Sequence, residues 1–249
     1  MRSGTATCFV FVLVTLWACG CVLADPAPLQ PHRAEYLLTR DGLPIATMVM
    51  ELKLSEDGRR YHYHARTRPH KALALVGKAL EISPGAQVDE TSGGSIPKDR
   101  FRPDRYHHNR KNGSGRELTI SFDWKRGRAN MESTNKPWSM EVPPDALDKL
   151  VVLLALRQDL ARGAKDITYP VADGGKLKSY RYAVTEQDRI TTGAGSWDSM
   201  EVSRSKQGGP TDYRLWLAPD LANLPILIER DEKGVLFSME LTEIEGLGP

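Results

Sequence analysis

His62-Tyr63-His64 places two imidazoles on one face of a strand, because side chains alternate along β structure. With a carboxylate they could hold zinc and leave one coordination position open. No third ligand stands nearby, and the competing reading is a solvated strand face with Tyr61 and Tyr63 turned inward. His107-His108 lie beside Asp104, Arg105 and Arg110. Base catalysis there would need a nucleophile and an orienting group within hydrogen-bond reach. The chain has no Gly-x-Ser-x-Gly elbow, no His-Glu-x-x-His and no phosphate-cradling loop, and Gly113-Ser114-Gly115 reads as a turn. The expectation is therefore a protein that is not an enzyme, with no catalytic residue, no metal and no cofactor. A tight cluster of His, Asp and Ser in a pocket would be needed to revive a hydrolase.

The cysteines say where the chain works. Cys8, Cys19 and Cys21 are its only three, and all lie in an N-terminal leader. Arg2 precedes the apolar run Phe9 to Ala18, which is too short to span a bilayer comfortably and has signal-peptide length. Val22-Leu23-Ala24 supplies the small side chains a signal peptidase takes, so residues 1–24 are expected to be removed, leaving a periplasmic protein without cysteine. The alternative is a lipoprotein anchored at Cys19 or Cys21. Residues 25–31 are Pro-rich and read as a flexible leader, and 32–249 as a single β-rich domain. Nothing later is apolar enough for a membrane helix, so an integral membrane protein is not expected. The formal charge of +2 argues against a nucleic-acid partner, whose affinity rests on neutralising many phosphates.

The elements that must position any site are mostly strands. Asp41-Gly42 and Asp57-Gly58 are hairpin signals between runs 33–40, 43–54 and 59–66, with Met48, Met50, Leu52 and Leu54 at period two. Residues 72–80 read as a short helix or an apolar loop. Leu118, Ile120, Phe122 and Trp124 share one strand face. Further strands are expected at 87–91, 100–109, 129–133, 166–171, 176–184 and 196–204. The runs within 213–245, split by Pro219-Asp220 and Lys233-Gly234, close the sheet. One helix is expected over about 145–162, opened by Pro143-Pro144-Asp145 and stopped by Gly163, with Arg157 and Arg162 late, where cations suit the dipole. Leu147, Leu150, Leu153, Leu154, Leu156 and Leu160 make it apolar over more than one face, so it should be buried on two sides.

Several phrases carry a resemblance. Arg33-Ala-Glu-Tyr36 with Asp41-Gly42-Leu43-Pro44, Arg102-Pro-Asp-Arg-Tyr106, Phe122-Asp-Trp124, Pro144-Asp-Ala-Leu-Asp148, Tyr169 to Gly174, and Trp216 to Leu221 with Leu224-Pro225 together resemble the bacterial exported proteins known as domain of unknown function 3108. That family has no assigned catalytic residues to carry over. The Trp-x-x-Pro…Leu-Pro phrase is also similar to the closing strands of periplasmic lipoprotein carriers, which are half-barrels with helices in the concave face.

The expected fold is thus mainly β: a highly curved antiparallel sheet or half-barrel with one helix packed on it. The expected ligand is apolar or lipid-like, such as a lipid or a lipoprotein acyl chain, held in the concavity by Leu150, Leu154, Phe122, Trp124, Tyr182 and Trp216. Trp138 and Trp197 are further candidates, and Trp216 is the strongest candidate for plain core. A basic stretch at 98–128 suggests a rim for anionic headgroups. The alternative function is a protein-interaction module of envelope biogenesis that uses a sheet edge or the basic face.

Overall fold

A computed structural model describes residues 29–70, 87–111, 116–132, 137–206 and 209–248. The expected signal peptide, residues 25–28 of the leader, the 72–80 stretch and the 112–115 turn lie outside the described residues. Of the expected flexible leader, Leu29 is buried in the core, and the Gln30 carbonyl accepts a hydrogen bond from His32.

Turn chemistry builds the first half. Strand β1 (His32–Arg40) returns as β2 (Leu43–Leu54) through Asp41-Gly42, whose φ values of 47° and 77° are those a two-residue hairpin turn requires. The meander continues through β3 (Arg60–Pro69), β4 (Gln87–Ser95), β5 (Arg102–Lys111), β6 (Arg116–Asp123), β7 (Arg128–Glu132) and the short β8 (Trp138–Glu141). The chain then forms a two-residue strand, β9 (Leu147–Asp148), and the helix α1 (Val152–Ala161). A second meander follows: β10 (Asp166–Asp173), β11 (Lys176–Thr192), β12 (Gly195–Lys206), β13 (Thr211–Ala218), β14 (Leu224–Glu232) and β15 (Val235–Glu245). Strand β15 pairs antiparallel with β1, so both meanders belong to one sheet of order β8-β7-β6-β5-β4-β3-β2-β1-β15-β14-β13-β12-β11-β10-β9. Among the described residues only β9–β10 is parallel. The sheet is curved and unclosed, and six of its pairings carry register shifts, the bulges by which strands bend.

Cross-strand pairing writes the inner face in rows. One runs Trp138, Met131, Ile120, Tyr106, Ser92, Tyr63, Leu52. Another runs Val184, Val202, Leu215, Ile228, Met239, Leu38. Apart from Ser92, these side chains and the leucines of the helix form one apolar cluster. Tyr61 and Tyr63 are buried while His62 is exposed, so that histidine pair faces outward; His64 bonds Asp89 at 3.0 Å.

The helix is shorter than the sequence spacing predicts. Pro143 to Val151 is not helical, because Leu147-Asp148 pairs with Val171-Ala172 and Asp148 turns the chain into α1. The expected burial on two sides holds: Val152, Leu154, Leu156, Arg157 and Leu160 are all buried. Strand β11 is longer than its apolar pattern suggests. Residues 185–189 are exposed and carry little hydrophobic signal, yet 186–189 pair with β12, and the tip of that hairpin returns to β15, where the Ala194 N–H donates to the Leu241 carbonyl at 3.2 Å.

Candidate functional site

A buried carboxylate, Asp148, and a half-buried one, Glu90, stand where β4 meets the β9–α1 turn. Asp148 is fully buried and accepts three hydrogen bonds: from Ser92 Oγ at 2.6 Å, from the Leu150 N–H at 2.8 Å and from the Val151 N–H at 2.9 Å. Tyr61 lies 3.0 Å from the same Ser92 oxygen. Burial outweighs these donors and pushes the Asp148 carboxyl up to about 6. Glu90 behaves oppositely. Burial raises it, but the His108 imidazole at 2.9 Å, the Lys149 ammonium at 2.9 Å and the Tyr106 hydroxyl together hold it at about 2. Each acid is thus committed to fixed donors. Ser92, itself fully buried, gives its proton to Asp148.

Glu90 and Lys149 border a cavity of about 590 Å³ between the inner face and the start of α1. Its walls divide by chemistry. Leu38, Met48, Met50, Leu150, Leu153 and Met239 make one side apolar. Tyr180, Arg204, Lys206, Tyr213, Arg230 and Glu232, from β11 to β14, make the other polar. Arg204 stacks on Tyr213 at 3.8 Å and on Tyr180 at 4.7 Å while gripping Asp212 with two hydrogen bonds of 2.9 and 2.7 Å. A second recess, of about 900 Å³, lies at the other end of α1, bordered by Leu160, Met200, Pro219, Asn223 and Leu247.

Of the residues the sequence nominates for the ligand, the structure brings Leu150 and Tyr182 to the first cavity. Leu154 is fully buried in the cluster and borders neither recess. Phe122 and Trp124 stack on each other with centroids 5.2 Å apart, and Trp124 is fixed by a hydrogen bond to the Pro103 carbonyl. Trp216 pairs with Glu201 and Leu227 on the opposite sheet face from Leu215, and is 8% exposed, so it packs rather than lines. Trp138 packs over the Gly175 turn, bringing the β8 edge against the β10–β11 hairpin. A Cβ on Gly175 would lie 2.8 Å from the indole nitrogen. Sequence reasoning missed Lys149, Glu90, Arg204 and Lys206. Their signal is faint: Lys149 sits in a turn, Arg204 and Lys206 lie near the end of β12, and Glu90 lies within β4, where single charges read as a solvated strand face.

Arg157 holds the helix in the trough. Its Nε donates to the Ala222 carbonyl at 3.1 Å, and Asn223 Nδ2 donates back to the Arg157 carbonyl at 3.1 Å. Ala222 and Asn223 adopt φ of 51° and 54°, the left-handed pair that lets the β13–β14 turn present both groups. Arg157 Nη1 also donates to His32 Nε2 at 2.9 Å. A guanidinium only donates, so His32 carries its proton on Nδ1, which donates to the Gln30 carbonyl at 2.8 Å. Burial and the Arg157 charge lower His32 to about 4.

A long meander bent into an unclosed trough, with one buried helix and a cavity at the helix start, defines a half-barrel class of β protein. The family profile described as "Protein of unknown function (DUF3108)" matches residues 35–242, and the chain belongs to that family. No curated protein matches the sequence. Among solved structures, the chain is similar to a beta-barrel-like protein of domain of unknown function DUF1849 from Brucella abortus: TM-score 0.56, 14% identity, 88% of this chain and 98% of that one. That likeness is one of fold. Looser overlaps link it to a "putative lipoprotein" of Parabacteroides distasonis (TM-score 0.38, 9% identity, 88% and 97% covered). Another is a "putative exported protein with YmcC-like fold" of Bacteroides fragilis (TM-score 0.29, 11% identity, 87% and 94% covered). At those scores neither carries an argument.

Proposed function

We propose that this is an exported, non-enzymatic protein of the cell envelope that holds an apolar or lipid-like ligand between the curved sheet and the start of α1. The observation that carries the reading is the 590 Å³ cavity with its wall of Leu38, Met48, Met50, Leu150, Leu153 and Met239. That volume falls within the roughly 300–1,000 Å³ of small-molecule sites. Two of its side chains from β2 are methionines, which repack around chains of varying shape. At one sheet edge β8 has only 4 residues, too short to template much of a partner strand.

Native mass spectrometry of freshly purified protein, then organic extraction, tests it. The expected result is an extractable mass of lipid size, and binding of the neutral apolar fluorophore N-phenyl-1-naphthylamine to the stripped protein. Leu153→Trp, which fills the cavity from a partly exposed position, should weaken that fluorophore by ~10-fold or more, the scale of a lost apolar contact plus a clash. Clean protein that ignores the fluorophore would end the proposal.

A further inference from the structure

The inward side chains change character along each strand of the polar wall. On β12 they run from Lys206 and Arg204 to Val202; on β13, from Tyr213 to Leu215; on β14, from Glu232 and Arg230 to Ile228. The charged ends of these strands lie together, because β12 and β14 end where β13 and β15 begin. The cavity therefore has Arg204, Lys206, Arg230 and Glu232 toward one end of the trough, and toward the helix it has Leu150, Val152 and Leu153 beside the closed Glu90–Lys149 ion pair.

The charges at the polar end are not balanced. Arg204 takes Asp212 Oδ2 at 2.7 Å, and Lys206 must share the same oxygen at 3.1 Å. Arg230 meets only Glu232, at 3.2 Å, with both side chains more than 40% exposed, and such a pair contributes little. Three cations thus meet two carboxylates among the described residues of this wall. Arg204 and Arg230 also face one ring, Tyr213, at 3.8 and 5.5 Å. Arg204 is committed by its two-pronged grip and its stacking. Lys206 and Arg230 are 38% and 41% exposed, border the cavity, and keep donors to spare.

We infer that the ligand of this cavity is an anionic amphiphile: its phosphate or carboxylate headgroup sits between Lys206 and Arg230, and its chain runs over Ile228, Leu215 and Met239 toward Leu150. The inference rests on the ligand-binding reading above and adds the sign and place of the headgroup. Tyr213 and Phe237, paired across the sheet with Arg204 and Arg230, also line the cavity.

Displacement of N-phenyl-1-naphthylamine from the stripped full chain separates the two claims. Dodecyl phosphate and dodecanoate should each compete ~10-fold better than dodecanol, the size of one to two charge-assisted contacts, and dodecyltrimethylammonium should compete worst. The preference should shrink as salt rises. In Lys206→Gln/Arg230→Gln the anion preference should fall to within about twofold while dodecanol competes as before. Arg230→Gln alone, at a partly exposed position, covers the case of a double variant that does not fold, and should lose about half of the preference on a logarithmic scale. Fluorophore binding with equal competition by all four amphiphiles would overturn the headgroup site and leave the cavity reading standing, as would a double variant that still prefers anions. No fluorophore binding at all would overturn both.

Discussion

Asp148→Ala is expected to cost about 3–5 kcal/mol, measured as a shift in denaturant midpoint at unchanged slope. The change leaves the Leu150 and Val151 N–H groups and the Ser92 hydroxyl without an acceptor in a site of 0% exposure. Each orphaned buried donor costs roughly 1–3 kcal/mol, and some of the sum is returned because a desolvated carboxylate disappears with it. Asp148→Asn keeps an oxygen for both backbone groups and should stay within ~1 kcal/mol of the native protein near pH 7. A midpoint for Asp148→Ala within error of native would show that the turn into α1 does not depend on this side chain.

The same residue should leave a signature in pH. Its folded carboxyl is raised to about 6, against an unfolded value near ~3.9. The folded state therefore holds the proton more tightly, so the stability Asp148 contributes is full below about 4 and is lost as pH rises from about 4 to about 6. Glu90, held at about 2, works in the next window down: its contribution is present above ~4.3 and is lost as pH falls toward 2. Native protein compared with Asp148→Asn should gain stability as pH drops from 6 to 4, and a flat difference across that window would contradict it.

Asp148 also shows where the sequence stops being legible. Pro143-Pro144-Asp145 has the composition of a helix start, and Leu147 and Leu150 fit a helical stripe. Their burial does follow the pattern, since both are buried in the core. The partner that pulls 147–148 out of the helix, Val171-Ala172, lies more than twenty residues away and leaves no local mark. Hairpins announced by Asp41-Gly42 and Lys233-Gly234 were readable because the turn residues carry the backbone geometry themselves. The trough was readable from the same hairpins and from strand alternation. The cavity's apolar side was half readable, through Leu150 and Tyr182. Its polar side was not, because Lys206, Arg204 and Arg230 look like ordinary strand-end charges until register sets them around Tyr213. Trp216 was legible as packing but not as to face, since a run of four buried residues, Leu215 to Ala218, hides the alternation.

Arg157 is the second large expectation, and it separates packing from charge. The sequence places it in the last turns, where a cation suits the dipole, but it is fully buried, and no carboxylate bonds it among the described residues. Burial lowers its proton affinity, and its Nη2 finds no partner there. Arg157→Ala removes a long side chain from the closed core and strips the Ala222 carbonyl and His32 of their donor, for a cost of about 3–5 kcal/mol. Arg157→Met refills most of the volume and removes an unpaired buried cation, so it should cost about half as much or less. His32 reports the charge directly: its imidazole, held near 4 by burial and by Arg157, should titrate higher in Arg157→Met by NMR. Equal losses for Ala and Met would mean that the hydrogen bonds to the Ala222–Asn223 turn, rather than volume, hold α1 in the trough. A loss under ~1 kcal/mol in both would mean that the helix is held by its leucines alone.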